Sequence, residues 1–274
     1  MRTVKKAIIP AAGYGTRNLP ITKVIPKEMF PVAGKPAIQL IVEEAIEAGI
    51  EEILIVVSRN KSVIIDYFDR SLEYEYFLVR TNKHHLLDKI KQLNVYIQYV
   101  RQPFPEGLGA AINLGKQFSG SEPFAVLLPD DIYISSNKPA LTELLDVYHT
   151  YQTNLIALEN VKQDQLKNYG VVKANSIQNN TYEILDIVEK PQSSPPSNLA
   201  VSGRYIFEPT IFSYLEKTAQ GTGGEVQLTD AIKQLLTSEK CFGVEVVSER
   251  FDIGSEQDYF NLIQKIMGQK MTEE

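Results

Sequence analysis

Two cationic side chains stand in frames that could hold an anion. Arg17 closes the run Ala11-Ala12-Gly13-Tyr14-Gly15-Thr16-Arg17, and Lys27 lies in Ile25-Pro26-Lys27-Glu28-Met29-Phe30-Pro31. The glycines let backbone N–H groups approach an anion, and Arg17 adds a permanent, forked positive charge. That chemistry is phosphate binding. The loop is neither of the commoner glycine loops, because it lacks the Gly-Lys-Ser/Thr ending of a P-loop and the third glycine of the dinucleotide fingerprint. Alone, the run reads as readily as a plain turn after a strand. Lys27 tips the balance: Pro26 and Pro31 fix the backbone around it, so its ammonium can be held over the same ligand. Lys23 and Lys35 have no such frame and read as solvated groups.

These residues need elements to position them. In the first half of the chain, strand and helix signals alternate as in a mostly parallel sheet covered by helices. Val4 to Pro10 is a short apolar run, as expected of a strand buried on both faces. Over 36–48 the residues Ile38, Ile41, Val42, Ala45 and Ile46 fall on one helical face, with Pro36 at the start and Gly49 at the stop. Strands are expected at 52–57, 94–100 and 124–128, and helices at 62–68 and 108–118. Beyond Thr150, segments 154–161, 170–174, 182–189 and 200–207 read as strands with little helix between them, hence an antiparallel or mixed extension. Helices at 209–217 and 226–237, a strand at 242–247 and a terminal helix from Ser255 complete the chain. Ligand groups in open parallel sheets gather at the C-terminal strand ends, where Gly13, Gln102 and Asp130 all fall.

Composition narrows the partners. At 274 residues, 43% hydrophobic and 23% charged, the sequence reads as an ordinary globular protein. A net charge of -6 offers no global field for nucleic acid or an anionic membrane, so any phosphate must meet a local cluster. One cysteine, Cys241, excludes an internal disulfide, and the three histidines are poorly spaced for zinc. A cytoplasmic setting is expected. The apolar run after Arg2, Lys5 and Lys6 is too short for a signal peptide and is broken by Pro10 and Gly13.

In order along nearly the whole chain come Ile8 to Arg17, Pro26-Lys27-Glu28-Met29, Ile41-Val42-Glu43-Glu44-Ala45, Gly107-Leu108-Gly109, Glu189-Lys190-Pro191, Gly223-Gly224-Glu225-Val226-Gln227-Leu228-Thr229-Asp230 and Phe251-Asp252-Ile253-Gly254. With these motifs the chain resembles the sugar-1-phosphate nucleotidyltransferase family, and within it the uridylyltransferase branch. The resemblance implies an α/β fold, a Rossmann-like three-layer mostly parallel sheet with a mixed β extension for the sugar. It implies one domain over 1–254, with 1–135 as the nucleotide half and 136–254 as the sugar half, then a C-terminal helix over 255–274. The implied reaction joins UTP and glucose 1-phosphate into UDP-glucose and pyrophosphate, with Mg2+ as cofactor.

Residue by residue, the resemblance implies that Ala11, Ala12 and Gly13 bring backbone against the nucleoside and that Gln102, beside Gly107, reads the uracil edge. Asp130 and Asp252 match two magnesium-binding carboxylates, with Asp131 as their neighbour in the site. Lys190 would address the sugar phosphate, Glu189 and Glu225 the sugar hydroxyls, and Gly170 would let backbone pass close to the sugar. Arg17, Lys27 and Lys190 would neutralise charge. Singly, each has a blander reading: Gln102 as a polar strand end, Asp131 as a turn cap, Glu189-Lys190 as a solvated edge, Glu225 as a helix N-terminal charge. Thymidylyl transfer or another base and sugar stays open, because uracil and thymine present the same edge to Gln102. So does a catalytically silent nucleotide-sugar sensor, because Ser255-Glu256-Gln257-Asp258 is acidic where the family commonly has a basic residue after Asp-x-Gly. Tyr259, Leu262, Ile263 and Ile266 give the last helix an apolar face. A homodimer is expected, with no nucleic acid or membrane partner.

Overall fold

The computed structural model describes residues 2–135, 137–221 and 224–273, with side chains described as far as residue 268. Gly223 of the glycine-rich motif therefore lies outside the described residues. The strands are β1 (Lys6–Ala11), β2 (Pro31–Val32), β3 (Lys35–Pro36), β4 (Glu52–Val57), β5 (Tyr96–Arg101), β6 (Phe124–Leu127), β7 (Asp131–Ile134), β8 (Asn154–Asn160), β9 (Gly170–Gln178), β10 (Thr181–Glu189), β11 (Leu199–Phe207), β12 (Cys241–Glu245) and β13 (Glu249–Asp252). The helices are α1 (Ala37–Glu47), α2 (Ser62–Phe68), α3 (Leu72–Arg80), α4 (Leu108–Asn113), α5 (Lys116–Ser119), α6 (Ala140–Tyr151), α7 (Ile211–Leu215), α8 (Leu228–Leu235) and α9 (Glu256–Glu273).

Nine strands form one sheet in the order β5-β4-β1-β6-β11-β8-β12-β10-β9. Pairing is parallel from β5 through β4 and β1 to β6, where helices make the crossovers. From there, in the strands beyond Thr150, the pairing is mixed, as expected of the extension. β11 runs antiparallel to both β6 and β8, β12 is parallel to β8, and β10 is antiparallel to β12 and β9. β9 and β10 are antiparallel because a tight turn joins them, and such a turn can only link antiparallel neighbours.

Along β1 the pleat sends Ala7, Ile9 and Ala11 to one face and Ile8 to the other. The first face packs on Ile38, Ile41, Val42 and Ala45 of α1, Leu141, Leu144 and Tyr148 of α6, and Leu262 of α9. The second packs on Ile112 of α4, Ile211, Phe212 and Leu215 of α7, and Leu228, Ile232 and Leu235 of α8. Burial on both faces explains why these strands read as unbroken apolar runs. The expected apolar face of the last helix, Tyr259, Leu262, Ile263 and Ile266, lies on the first of these cores. Tyr259 Oη also donates to the Pro31 carbonyl at 2.7 Å, so α9 is docked by both apolar and polar contacts.

One expected helix, 108–118, is split into α4 and α5 by Leu114 and Gly115. Two elements that position the site, β7 and β13, were absent from the expectation. They pair antiparallel with Asp252 opposite Asp131 and Phe251 opposite Ile132. No helix among the described residues is long and apolar enough to cross a membrane.

Candidate active site

The chain ends of β1, β6 and β13 converge. After β6, the chain turns at Asp130 and re-enters a strand at Asp131, while β13 delivers Asp252 beside it. The loop after β1 carries Arg17 to the same place. Its Nη1 donates to Asp252 Oδ2 at 2.8 Å and its Nη2 to Oδ1 at 3.3 Å, while Nη2 lies 3.6 Å from Asp130 Oδ2. Lys27 Nζ donates to Asp130 Oδ2. Gly254 N–H donates to Asp252 Oδ1 at 2.8 Å, which fixes that carboxylate from its own turn. The four residues singled out as phosphate and metal groups, Arg17, Lys27, Asp130 and Asp252, thus form one contact set.

The charges in this set hold one another. Burial by itself raises Asp130, but Lys27 and Arg17 outweigh it and leave the carboxyl below its ordinary pKa. Burial by itself lowers Lys27, but Asp130 and Glu28 more than compensate and hold the ammonium above its ordinary value. Beneath the loop, Glu28 accepts from Lys61 Nζ at 2.8 and 2.9 Å in an ion pair whose side chains are 1% and 3% exposed. Burial dominates there and Lys61 lies below its ordinary pKa.

Asp131 is a different kind of carboxylate. Arg250 Nε donates to its Oδ1 at 2.7 Å, and the buried Arg204 donates through Nη2 to its backbone carbonyl at 2.8 Å. Arg204 in turn is forked onto Glu44 at 3.0 and 2.7 Å, which gives Glu44 of the Glu43-Glu44 motif a structural role. Gly203 opposite has φ of 71°, and a Cβ there would fall 2.0 Å from Asp131 Oδ2. Burial pushes the Asp131 carboxyl up to about 6 despite Arg250, with Asp130 and Asp252 adding in the same direction. Arg204, Arg250 and Lys61 were not found from sequence, where charged residues with distant partners look solvated; nor was Gly203, and Glu28 entered only as part of a motif.

Two cavities open at the strand ends, and Arg17, Asp130 and Asp252 of the contact set line the larger. That cavity, of about 760 Å³, has Asp130, Asp131 and Asp252 on one wall and Gly170, Glu189 and Lys190 on the other. Gly170 pairs with Glu189 in the β9–β10 register, which brings these two sugar-side candidates together. Lys190 follows in left-handed conformation, φ 45°, its amide donating to the Tyr169 carbonyl at 2.9 Å, and its Nζ lies 3.3 Å from Glu189 Oε1. A smaller cavity of about 410 Å³ is lined by Ala12, Tyr14, Arg59 and Gln102 among others. Gln102 is buried, with its Nε2 3.5 Å from the Gly107 carbonyl. Ala11 is the buried last residue of β1, and Gly13 faces open space.

The Glu225 Cβ lies 2.8 Å from where a Cβ on Gly107 would stand, and its Oε2 accepts from Nε2 of Gln227, a residue that lines the larger cavity, at 3.1 Å. The acidic stretch after Gly254 reaches the same cavity: Ser255, Gln257 and Asp258 line it. Burial, then the nearby Asp252, holds Asp258 above its ordinary pKa.

Asp130 and Asp252 offer hard oxygen donors that converge on one guanidinium nitrogen, Arg17 Nη2. That donor set fits magnesium, which takes one or two carboxylates and completes its shell with waters and substrate phosphate. Among the described residues no group of three or more His, Cys, Asp or Glu has metal-ligand geometry, as an all-protein cage would require.

An α/β sheet with a glycine loop, a framed lysine and two carboxylates at its strand ends defines a protein that handles phosphorylated substrates. The chain belongs to the nucleotidyl transferase family, whose model matches residues 6–269. A Bacillus subtilis relative is 54% identical over 260 residues, 95% of this chain and 96% of its own. A second Bacillus subtilis protein, named UTP–glucose-1-phosphate uridylyltransferase, is 46% identical over 257 residues, 93% of this chain and 88% of its own. A crystal structure of UDP-glucose pyrophosphorylase in complex with UDP-glucose superimposes with a TM-score of 0.89 at 42% identity, covering 97% of this chain and 100% of the other. The apo form of a UDP-glucose pyrophosphorylase gives 0.92 at 43% identity, covering 98% and 100%.

Proposed function

We propose that this chain is a uridylyltransferase that makes UDP-glucose and pyrophosphate from UTP and glucose 1-phosphate. The observation that carries the reading is the convergence of Arg17 and Lys27 on Asp130 and Asp252, at a cavity that also holds Gly170, Glu189 and Lys190, with a second cavity holding Gln102 and Ala12. The relatives with that activity in their names cover almost all of this chain. Residues 1–135 serve the nucleotide, 136–254 the sugar, and the parallel strands β5, β4, β1 and β6 form the Rossmann-like half.

In the proposed reaction a phosphate oxygen of glucose 1-phosphate attacks the α-phosphorus of UTP, and the bond to the β-phosphate oxygen breaks as pyrophosphate leaves. A phosphomonoester has its second pKa near ~6, so the nucleophile is largely dianionic at neutral pH and needs no general base. The task is to bring two polyanions into line. Arg17 and Lys27 neutralise the triphosphate, and Lys190 holds the sugar phosphate. Glu189 accepts from sugar hydroxyls, while Gln102 with Gly107 reads the base and Ala11 to Gly13 border the nucleoside. Magnesium on Asp130 and Asp252 would supply further neutralisation of the reacting phosphates. Because Arg17 and Lys27 are ion-paired to those carboxylates, substrate binding must exchange protein partners for phosphate.

The test is pyrophosphate release from UTP and glucose 1-phosphate with Mg2+, beside dTTP and other sugar phosphates. UTP with glucose 1-phosphate should be the fastest pair, and Lys27→Ala should lower turnover by orders of magnitude while keeping the fold. Activity confined to dTTP would shift the reading to thymidylyl transfer, and silence with every pair to a nucleotide-sugar sensor. The same reading includes a cytoplasmic homodimer, which light scattering of the purified chain tests at the level of assembly.

A further inference from the structure

Arg250 lines the larger cavity, yet it is nearly buried and each of its three guanidinium nitrogens already has an acceptor. Nε and Nη2 lie 2.7 and 2.6 Å from Asp131 Oδ1, and Nη1 donates to Glu159 Oε2 at 3.2 Å. Its guanidinium lies over the Tyr169 ring at 5.0 Å. A cation taken out of water needs acceptors, and every nitrogen of this one has one. It therefore has little left to offer a substrate directly.

Its partners are the two walls of the cavity. On one side, Arg250 and Asp252 alternate along β13 with the core residue Phe251 between them, so they share a face, and Asp252 stands opposite Asp131 in the β7 register. On the other side, the Tyr169 carbonyl accepts the Lys190 amide at 2.9 Å and the next residue, Gly170, pairs with Glu189. Arg250 is thus one rigid fork away from the acidic pair and one ring away from the Lys190 turn.

We infer that Arg250 is the positioning residue that sets the distance between the Asp130–Asp252 wall and the Lys190 wall, and so the alignment of the sugar phosphate with the α-phosphorus. The inference rests on the proposed reaction and extends it. A flat guanidinium can hold the Asp131 carboxylate edge-on and cover the ring with its face, which a lysine ammonium cannot do together. Misalignment across this span should appear in the chemical step, because effective concentration depends steeply on geometry, and not in binding of either substrate.

The experiment uses the full chain with Arg250→Lys, Tyr169→Leu, Tyr169→Phe and the double variant Arg250→Lys/Tyr169→Leu. Arg250→Lys keeps the charge, and Tyr169→Leu keeps every ion pair, so at least one variant reads the span without opening a buried charge. The expected result is a fall in kcat of about tenfold or more in Arg250→Lys and Tyr169→Leu, with KM for UTP within about twofold of wild type. Tyr169→Phe should restore kcat, and the double variant should be no slower than the slower single, because both break one strut. Wild-type kcat in Arg250→Lys, multiplicative losses in the double variant, or a kcat loss that follows the fall in thermal midpoint would each overturn it. Wild-type enzyme runs alongside: if it forms no UDP-glucose, the reaction itself fails and the inference with it, whereas an active wild type beside unaffected variants removes the inference alone.

Discussion

Arg17 and Asp252 form a two-pronged ion pair, 2.8 and 3.3 Å, across the mouth of the site, and the backbone folds around it at Gly254. A Cβ on Gly254 would stand 2.2 Å from Arg17 Nη2 and 2.9 Å from Asp252 Oδ1. Gly254→Ala should therefore push Arg17 off the carboxylate. Arg17 is 57% exposed, so it can move aside, and the fold should survive with its thermal midpoint little changed. Turnover should not: about tenfold to a hundredfold in kcat/KM corresponds to roughly 1.4–2.8 kcal/mol of lost transition-state stabilisation. Steady-state kinetics beside a melting curve separates the two, and unchanged kcat/KM would remove Arg17 from the proposed chemistry.

The Lys27–Asp130 pair makes a prediction about pH. Asp130 lies below its ordinary pKa, so its ionised form stabilises the fold above about pH 4, and that contribution is lost as pH falls through the folded value. Lys27 lies above its ordinary pKa, so its contribution is present below about pH 10 and is lost as pH rises through the folded value. In Lys27→Met, burial of Asp130 is opposed only by a backbone hydrogen bond and then by Arg17. The carboxyl should move above its unfolded pKa, and the sign reverses: its contribution is then present in acid and lost as pH rises toward neutrality. Urea denaturation in EDTA should show the gap between wild type and Lys27→Met widening by on the order of 1–3 kcal/mol from pH 4 to pH 7. A gap independent of pH would mean that Asp130 is not held by Lys27.

Glu28 and Lys61 are buried together under the phosphate loop. Removing one partner of such a pair leaves an uncompensated charge, which typically costs about 3–5 kcal/mol, whereas replacing both with apolar groups of similar size can be nearly neutral. Glu28→Gln should lower stability by that amount and drive Lys61 further below its ordinary pKa. Glu28→Met/Lys61→Met should recover much of the stability. Chemical denaturation of the single and double variants reads this directly; a double variant as unstable as the single would show that the loop needs the ion pair itself.

Much of the frame was legible because local signals agree with the fold. β4 and α2 coincide with their expected spans, and the change of character after Thr150 corresponds to the mixed half of the sheet. The helix α6 was missed although Leu141, Leu144, Leu145 and Tyr148 recur at helical spacing behind Pro139, so that signal was present and unread. The pairing of β7 with β13 was not accessible in the same way. Each strand has four residues, and their register, with Asp131 opposite Asp252, joins segments more than a hundred residues apart. Arg17 and Lys27 were read from their glycine and proline frames and Asp130 and Asp252 through motif resemblance, and the structure brings the four together. Arg204 and Arg250 carried no local mark. A buried arginine is recognised by its acceptors, Glu44 and Asp131, and those are supplied by tertiary structure alone.

Gly203 tests how firmly that arrangement is held. Its φ of 71° strains any residue with a side chain, and a Cβ would overlap the Asp131 carboxylate, at 2.0 Å from Oδ2 and 2.8 Å from Cγ. A flexible neighbour could step aside, but Asp131 is fixed by Arg250 at its side chain and by Arg204 at its backbone. Gly203→Ala should therefore cost more than the ~1–2 kcal/mol of left-handed backbone strain, reaching about 3 kcal/mol or more once overpacking is added. Asp131→Ala in the same chain should remove the overlaps with Oδ2 and Cγ while leaving the strain and a 2.9 Å approach to the remaining Cβ, and freeing Arg250 to face only Glu159. If the clash outweighs the backbone strain, Gly203→Ala/Asp131→Ala will lie closer to Asp131→Ala than Gly203→Ala lies to wild type. Denaturation midpoints for the four proteins give the coupling energy. Strict additivity would mean that Asp131 yields, and that the clamp formed by the two arginines is looser than its hydrogen bonds imply.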